Sequence, residues 1–226
     1  VQNLWPHHDL AQGLGQKLGA GALLLGRLSS KQRRFVSLNG VVVKSTVYYL
    51  PGWGGQLGTG LGQALMDRGF DVAGRETRDD FKALSFTEQV QCVVQDLQQH
   101  FWSEGAMVVA NSFGGYLFLH AQSQLPPYPG QVLLLSPIVG GFDDESRDMH
   151  FYPPQAERLF ELIDAGQMVS PLHAEIHTGE LDWQSHPKAV RRLGEALGIP
   201  VHVVAGGEHR LPKDYVAKIL DRFLSQ

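Results

Sequence analysis

A serine lies among small residues in Ala110-Asn111-Ser112-Phe113-Gly114-Gly115, and its surroundings suit it to nucleophilic attack. The segment joins an apolar, strand-like run at residues 106–110 to a helix-like run at 116–124. Small residues two positions to either side let a chain turn sharply from strand into helix, which pushes the serine hydroxyl clear of the backbone. The same turn leaves the following backbone N–H groups at a helix N-terminus, where they can hold an oxyanion. The pattern is that of a nucleophile elbow, G-x-S-x-G, with Ala110 in the first glycine position. In a chain with 26 glycines the motif alone is weak, and its place directly after a strand gives it weight.

A serine nucleophile needs a base, and the base needs an acid to orient it. His209 closes Gly206-Gly207-Glu208-His209, between a strand-like run and a helix-like run. Asp182 ends His177-Thr178-Gly179-Glu180-Leu181-Asp182, just past a late strand. A carboxylate there can accept the Nδ1–H of a histidine, fixing its tautomer and stabilising the imidazolium formed during attack. Glu180 is a nearby competitor, and Asp143 or Asp144 a more distant one. A fourth feature, Leu50-Pro51-Gly52-Trp53-Gly54-Gly55, is a glycine-rich turn directly after the first central strand, although glycine suits a plain turn equally well. All four follow strand ends, and in open parallel sheets ligands gather beyond the carboxyl ends of the strands.

On these residues the chain resembles the α/β-hydrolase family over roughly residues 41 to 225. The resemblance implies a mostly parallel central sheet flanked by helices, and the chain order serine, acid, histidine. It makes Ser112 the nucleophile and His209 the base and then the acid, and by family spacing it prefers Asp182 as the orienting carboxylate. It also assigns the oxyanion hole to backbone N–H groups of Phe113 and of Trp53 or Gly54. Pro51 stands where many relatives carry histidine. The family inserts its lid in the interval that is here residues 139–170. That interval is short and holds Phe142, His150, Phe151 and Tyr152, which implies a compact aromatic lip, with Phe151 and Tyr152 as substrate contacts, rather than a cap domain. Phe113 and Tyr116 either line an acyl pocket or belong to the core. The implied activity is hydrolysis of a small-molecule carboxylic ester or thioester through an acyl-enzyme, with no cofactor or metal. The same scaffold also admits a non-hydrolytic binding or regulatory protein, and the same triad admits acyl transfer or peptide cleavage.

Elements must bring these residues together. Beyond residue 40 strand-like and helix-like segments alternate, the pattern of a parallel sheet covered by helices. Strands are expected at 46–50, 70–74, 106–110, 131–136, 173–177 and 201–205, several as the short Val/Leu/Ile runs of strands buried on both faces. Helices are expected at 61–68, 87–101, 113–124, 154–165, 188–197 and 213–225. In the second of these Val90, Val93, Val94 and Leu97 recur at three and four, one helix face. Its start looks capped near Ser85, without a full capping box. Asn39-Gly40 within residues 35–43 is a hairpin signal, expected to add antiparallel strands at the sheet edge. Residues 1–34 read as an appended segment: Leu10, Leu14 and Leu18 could form a helix stripe that the neighbouring glycines weaken. Residues 35–226 then form one hydrolase domain.

Length and composition agree with that reading. The 226 residues suit one α/β domain, and 43% hydrophobic with 19% charged residues is ordinary globular usage. A net charge of −4 gives no electrostatic case for nucleic acid. The chain opens at Val1 rather than Met, which allows for processing or trimming. Basic Lys31, Arg33 and Arg34 follow the apolar part of the segment, the reverse of signal-peptide order. No apolar run approaches a membrane span. The lone Cys92, in a helical pattern, reads as a packed residue, compatible with a reducing, cytoplasmic setting. His7, His8 and Asp9, and the pair His173 and His177, lack a second ligand pair at zinc spacing, so no metal site is expected. The glycines at 52–62 lack the Gly-Lys-Ser/Thr ending of a phosphate loop.

Overall fold

A computed structural model describes residues 36–38, 41–43 and 45–225. The chain enters through two three-residue strands, β1 (Val36–Leu38) and β2 (Val41–Val43), paired antiparallel. It continues through β3 (Thr46–Leu50), α1 (Gly60–Asp67), β4 (Asp71–Gly74), α2 (Asp79–Ala83) and α3 (Phe86–His100). Next come β5 (Met107–Asn111), α4 (Phe113–Gln122) and β6 (Gln131–Leu135). A short hairpin, β7 (Phe142–Asp144) and β8 (Met149–Phe151), leads to α5 (Arg158–Asp164). The chain closes with β9 (His173–Gly179), α6 (Pro187–Leu197), β10 (Val201–Val204) and α7 (Lys213–Phe223).

Six strands form one sheet in the order β10-β9-β6-β5-β3-β4, every pair parallel. After β3 the chain steps outward to β4, then returns across β3 to β5 and proceeds the other way. The order therefore reverses between β3 and β5, and the crevice beyond their carboxyl ends is where such sheets bind ligands. Successive side chains of a strand point to opposite faces. Tyr48, Leu50, Val108, Ala110, Val132 and Leu134 face a core built with α3, α4 and α6. Val47, Tyr49, Val109, Leu133 and Leu135 face the opposite core, filled from α1 and α7 by Leu65, Ile219, Leu220 and Phe223. Every residue of α4 is buried, as expected of a helix apolar on all sides that lies at the centre of its layer.

Three expectations need correction. The β1–β2 pair is a separate two-stranded sheet, because β3, which it precedes by two residues, already has β4 and β5 on its two edges; the turn residues 39 and 40 lie outside the described residues. The expected lack of a full capping box at α3 is also overturned. The helix begins at Phe86, which makes Ser85 the N-cap and Glu88 its reciprocal partner: Glu88 N–H donates to Ser85 Oγ at 3.3 Å and Ser85 N–H to Glu88 Oε2 at 2.8 Å. Such a cap stabilises a helix by about 1 kcal/mol. Finally, α5 starts four residues later than expected, since Gln155 at φ 58° breaks the helix after Pro153-Pro154. The appended segment at 1–34 lies outside the described residues.

Candidate active site

Ser112 connects β5 to α4 at φ 53°, ψ −120°. Positive φ is a strained choice for a non-glycine residue, and the surroundings impose it. Ser112 N–H donates to Leu135 O at 3.0 Å, and its carbonyl accepts from Tyr116 and Ile138 N–H, each at 3.2 Å. The following residues must be small. A Cβ on Gly114 would lie 2.0 Å from Leu50 O, and one on Gly115 would lie 2.7 Å from Pro137 Cβ. Two residues before the serine, Ala110 is wholly buried with its methyl in the core beside Leu50 and Leu134, so alanine is accommodated there.

Ser112 Oγ lies 2.8 Å from His209 Nε2. On its other side His209 Nδ1 lies 2.9 and 3.0 Å from the two oxygens of Asp182. The three predicted polar residues thus form one continuous chain, brought together from the loops after β5, β9 and β10. Asp182 is buried and is held by the N–H groups of Gln184 and Ser185 at 3.0 and 2.9 Å. Burial alone would raise its pKa, but the His209 contact and the Ser185 N–H outweigh it and hold the carboxyl below its usual value. Glu180, the nearby competitor, is exposed and instead accepts from Gly206 N–H at 2.8 Å, bracing the turn that carries His209. Asp143 lies on the hairpin, 2.7 Å from His150 Nδ1.

The glycine-rich turn approaches the serine closely, since a Cβ on Gly52 would fall 3.2 Å from Ser112 Cβ. Phe113 opens α4, which puts its N–H at the helix N-terminus. Its ring meets Trp53 edge-on at 5.0 Å. Of the two expected donors in this turn, Gly54 donates its N–H to Thr77 O at 3.0 Å.

Thr77 is a residue that sequence reasoning missed. Fully buried after β4, it accepts from Gly55 N–H at 3.0 Å through Oγ1, donates its hydroxyl to Gly52 O, and donates its N–H to Gly55 O at 3.2 Å. Ser185 is another: its hydroxyl donates to Ser136 O at 2.7 Å and lies 3.4 Å from His209 Nδ1.

A cavity of about 920 Å³ opens at Ser112 and His209 and is lined by Trp53, Phe113 and Phe151. It continues between α1 and α7 past Leu61, Ala64, Val216 and Leu220. Phe151 is buried at its wall, whereas Tyr152 is 54% exposed with its hydroxyl 3.4 Å from Asp143 Oδ2. Tyr152, expected with Phe151 as a substrate contact on the lip, lines a separate cleft beside Phe160 and Arg192, whereas Phe151 lines the cavity at Ser112. Phe151 is the last residue of β8, paired with Phe142, and Tyr152 follows it outside the strand. Tyr116 belongs to the core, and its hydroxyl, 2.8 and 2.9 Å from Pro154 O and Gln155 O, tethers the lip to α4.

Comparison with solved structures gives the same architecture. The α/β hydrolase domain-containing protein 10 from mouse aligns with a TM-score of 0.59 at 13% identity, covering 91% of this chain and 99% of that one. A thioesterase domain from the curacin biosynthetic pathway gives 0.57 at 11%, with 87% and 100% covered. The Paleococcus ferrophilus monoacylglycerol lipase gives 0.53 at 14%, with 80% and 94% covered. No protein-family model and no curated protein sequence matches the chain. The molecule has the α/β-hydrolase fold.

Proposed function

We propose that this protein is a serine hydrolase that cleaves a carboxylic ester or thioester. The observation that carries the reading is the unbroken Ser112–His209–Asp182 chain, with contacts of 2.8 and 2.9 Å, at a strained strand-to-helix turn. Solved neighbours of this fold described as a carboxylesterase, a lipase and a thioesterase are in keeping with it. Ser112 Oγ attacks the substrate carbonyl while its proton passes to His209 Nε2. Asp182, ionised because its pKa is held down, fixes the His209 tautomer and stabilises the imidazolium. The tetrahedral oxyanion sits toward the N–H groups of Phe113 and Trp53. On collapse the alcohol or thiol leaves with the proton from His209. Water, deprotonated by the same nitrogen, then attacks the acyl-Ser112 ester and releases the acid.

The arm of the cavity between α1 and α7 combines apolar wall from Leu61, Ala64, Val216 and Leu220 with the cationic side chains of Arg68 and Lys213. Metal chemistry has no part in this sequence of steps. A fluorophosphonate probe tests the reading: the parent should label, Ser112→Ala should not, and His209→Ala should label far more slowly. A folded parent that fails to label would overturn it.

A further inference from the structure

The parallel pairing of β9 with β10 places His177 opposite His202, with the two imidazoles stacked 4.5 Å apart at 15°. Glu175, two residues before His177, lies on the same face of the strand. One ligand atom from each of Glu175, His177 and His202 falls within 4.8 Å of the others. His173, which four-residue spacing pairs with His177 in the sequence, is not part of this group; the histidine opposite His177 comes from the neighbouring strand.

His177 is 1% exposed, and its ring has one satisfied and one open nitrogen. Nδ1 lies 2.9 Å from the Tyr215 hydroxyl of α7, which fixes the ring. Nε2 is buried, and among the described residues its polar neighbour is Glu175 Oε1 at 3.5 Å, too long and poorly aligned for a good hydrogen bond. A buried polar nitrogen without a partner is costly in a folded protein and asks for a ligand.

We propose that Glu175, His177 and His202 bind a divalent transition-metal ion, Zn²⁺ foremost. Two imidazole nitrogens and one carboxylate oxygen are the donor set of three-ligand zinc sites, which leave a fourth position for water. Ligand atoms on a tetrahedral zinc stand about 3.4 Å apart at bond lengths of about 2.1 Å. The Glu175–His177 separation of 3.5 Å already matches that spacing. The exposed His202, on edge strand β10, has to turn out of its stack on His177, because an imidazole binds a metal ion in the plane of its own ring. Tyr215 supplies the outer hydrogen bond that ligating histidines use to hold their orientation.

Arg222 of α7 presently donates to both Glu175 oxygens, at 2.7 and 2.6 Å. It supplies the positive charge that the ion would replace, and being half exposed it can turn out to solvent. The metal would join β9, β10 and α7, the elements around the loops that carry Asp182 and His209. The site stands apart from the hydrolase reading and does not depend on it.

Calorimetric titration of the full chain with Zn²⁺ tests the assignment, with thermal unfolding as a second readout. The parent should take up one equivalent, and saturating zinc should raise its Tm by roughly 5 °C. His202→Ala, an exposed change on an edge strand, should weaken binding by about tenfold or more and abolish the Tm shift. Arg222→Gln should tighten binding by removing the competing cation. His209→Ala should bind as the parent does, which separates this site from the Asp182–His209 pair. A parent that takes up no zinc would overturn the proposal. So would His202→Ala binding as tightly as the parent, which would assign the ion to other groups such as His7 and His8. An Arg222→Gln chain that binds no better would remove Glu175 from the ligand set.

Discussion

The conformation of Ser112, φ 53° and ψ −120°, costs a non-glycine residue about 1–3 kcal/mol. Three backbone hydrogen bonds and two neighbouring glycines over-determine it, so the strain is held in place by the sheet rather than by the side chain. The opposite wall of the site is fixed in a different way. The turn at 52–55 is short of side chains, and Thr77 holds it through its hydroxyl, its N–H and its carbonyl. Nothing in Arg75-Glu76-Thr77 announces that role, because it depends on β3 and β4 being neighbours in the sheet. Thr77→Val keeps the shape and removes both hydroxyl hydrogen bonds, a loss of about 1–3 kcal/mol in local stability. If the Trp53 N–H serves the oxyanion, a misplaced turn should lower kcat by roughly tenfold or more with little change in KM. Thr77→Ser should restore most of it. Steady-state kinetics on an activated ester decides the matter, and a parent-like kcat for Thr77→Val would remove Thr77 as a positioning residue.

At the scale of elements, the central strands were legible because each is a short apolar run between turn residues, and all six expected strands are present. The elbow, the acid and the histidine could be nominated because each lies just past such a run, with family spacing choosing Asp182 over Glu180. What escaped depended on contacts between distant segments or on local backbone detail. The β7–β8 hairpin has few apolar residues to mark it, and α2 is only five residues long. That Phe151 is buried while Tyr152, just past the end of β8, is exposed needs the register and the strand end to be known. The lip is tied to the nucleophile helix by Tyr116, whose single hydroxyl proton is shared between two carbonyl oxygens of residues 154 and 155. Tyr116→Phe removes that donor and should loosen the lip by about 1 kcal/mol. Amide hydrogen exchange across residues 149–158 should speed up, while β5 and β6 keep their protection. Labelling by a small fluorophosphonate should stay within about twofold of the parent, since the triad is untouched. Unchanged exchange in the lip would show that packing of Phe151 and Leu159, and not the tether, holds it down.

For the molecule as a whole, the central position of α4 that makes the elbow rigid also carries a cost in acid. His120, one turn beyond Tyr116 on that helix, is 3% exposed and packed edge-on against Phe86 and Tyr116, with centroids at 4.9 and 4.3 Å. Among the described residues its Nε2 has no hydrogen-bond partner. Burial, with the positive charge of Arg158 adding to it, pushes its pKa down to about 4. In the unfolded chain the same imidazole titrates near 6.5. Above that pH neither state holds the proton, and folding is unaffected. As the pH falls from about 6.5 toward 4 the unfolded chain takes up a proton that the folded one refuses, so stability is lost through that window and levels off below it. A gap of about 2.5 pKa units corresponds to about 3 kcal/mol, a substantial share of a domain's total stability. Asp182 acts lower on the scale: its depressed pKa contributes stability that disappears only as the pH falls below the usual carboxylate range. His186 and His202, whose pKa values burial also lowers, share the upper window, so the contribution of His120 has to be taken as a difference. Urea unfolding of the parent and of His120→Phe, at pH 7 and at pH 4.5, isolates it. The parent should lose about 2–3 kcal/mol more than the variant between the two conditions. Equal losses would mean that His120 gains its proton inside the folded protein, and that the layer over α4 opens readily enough to admit it.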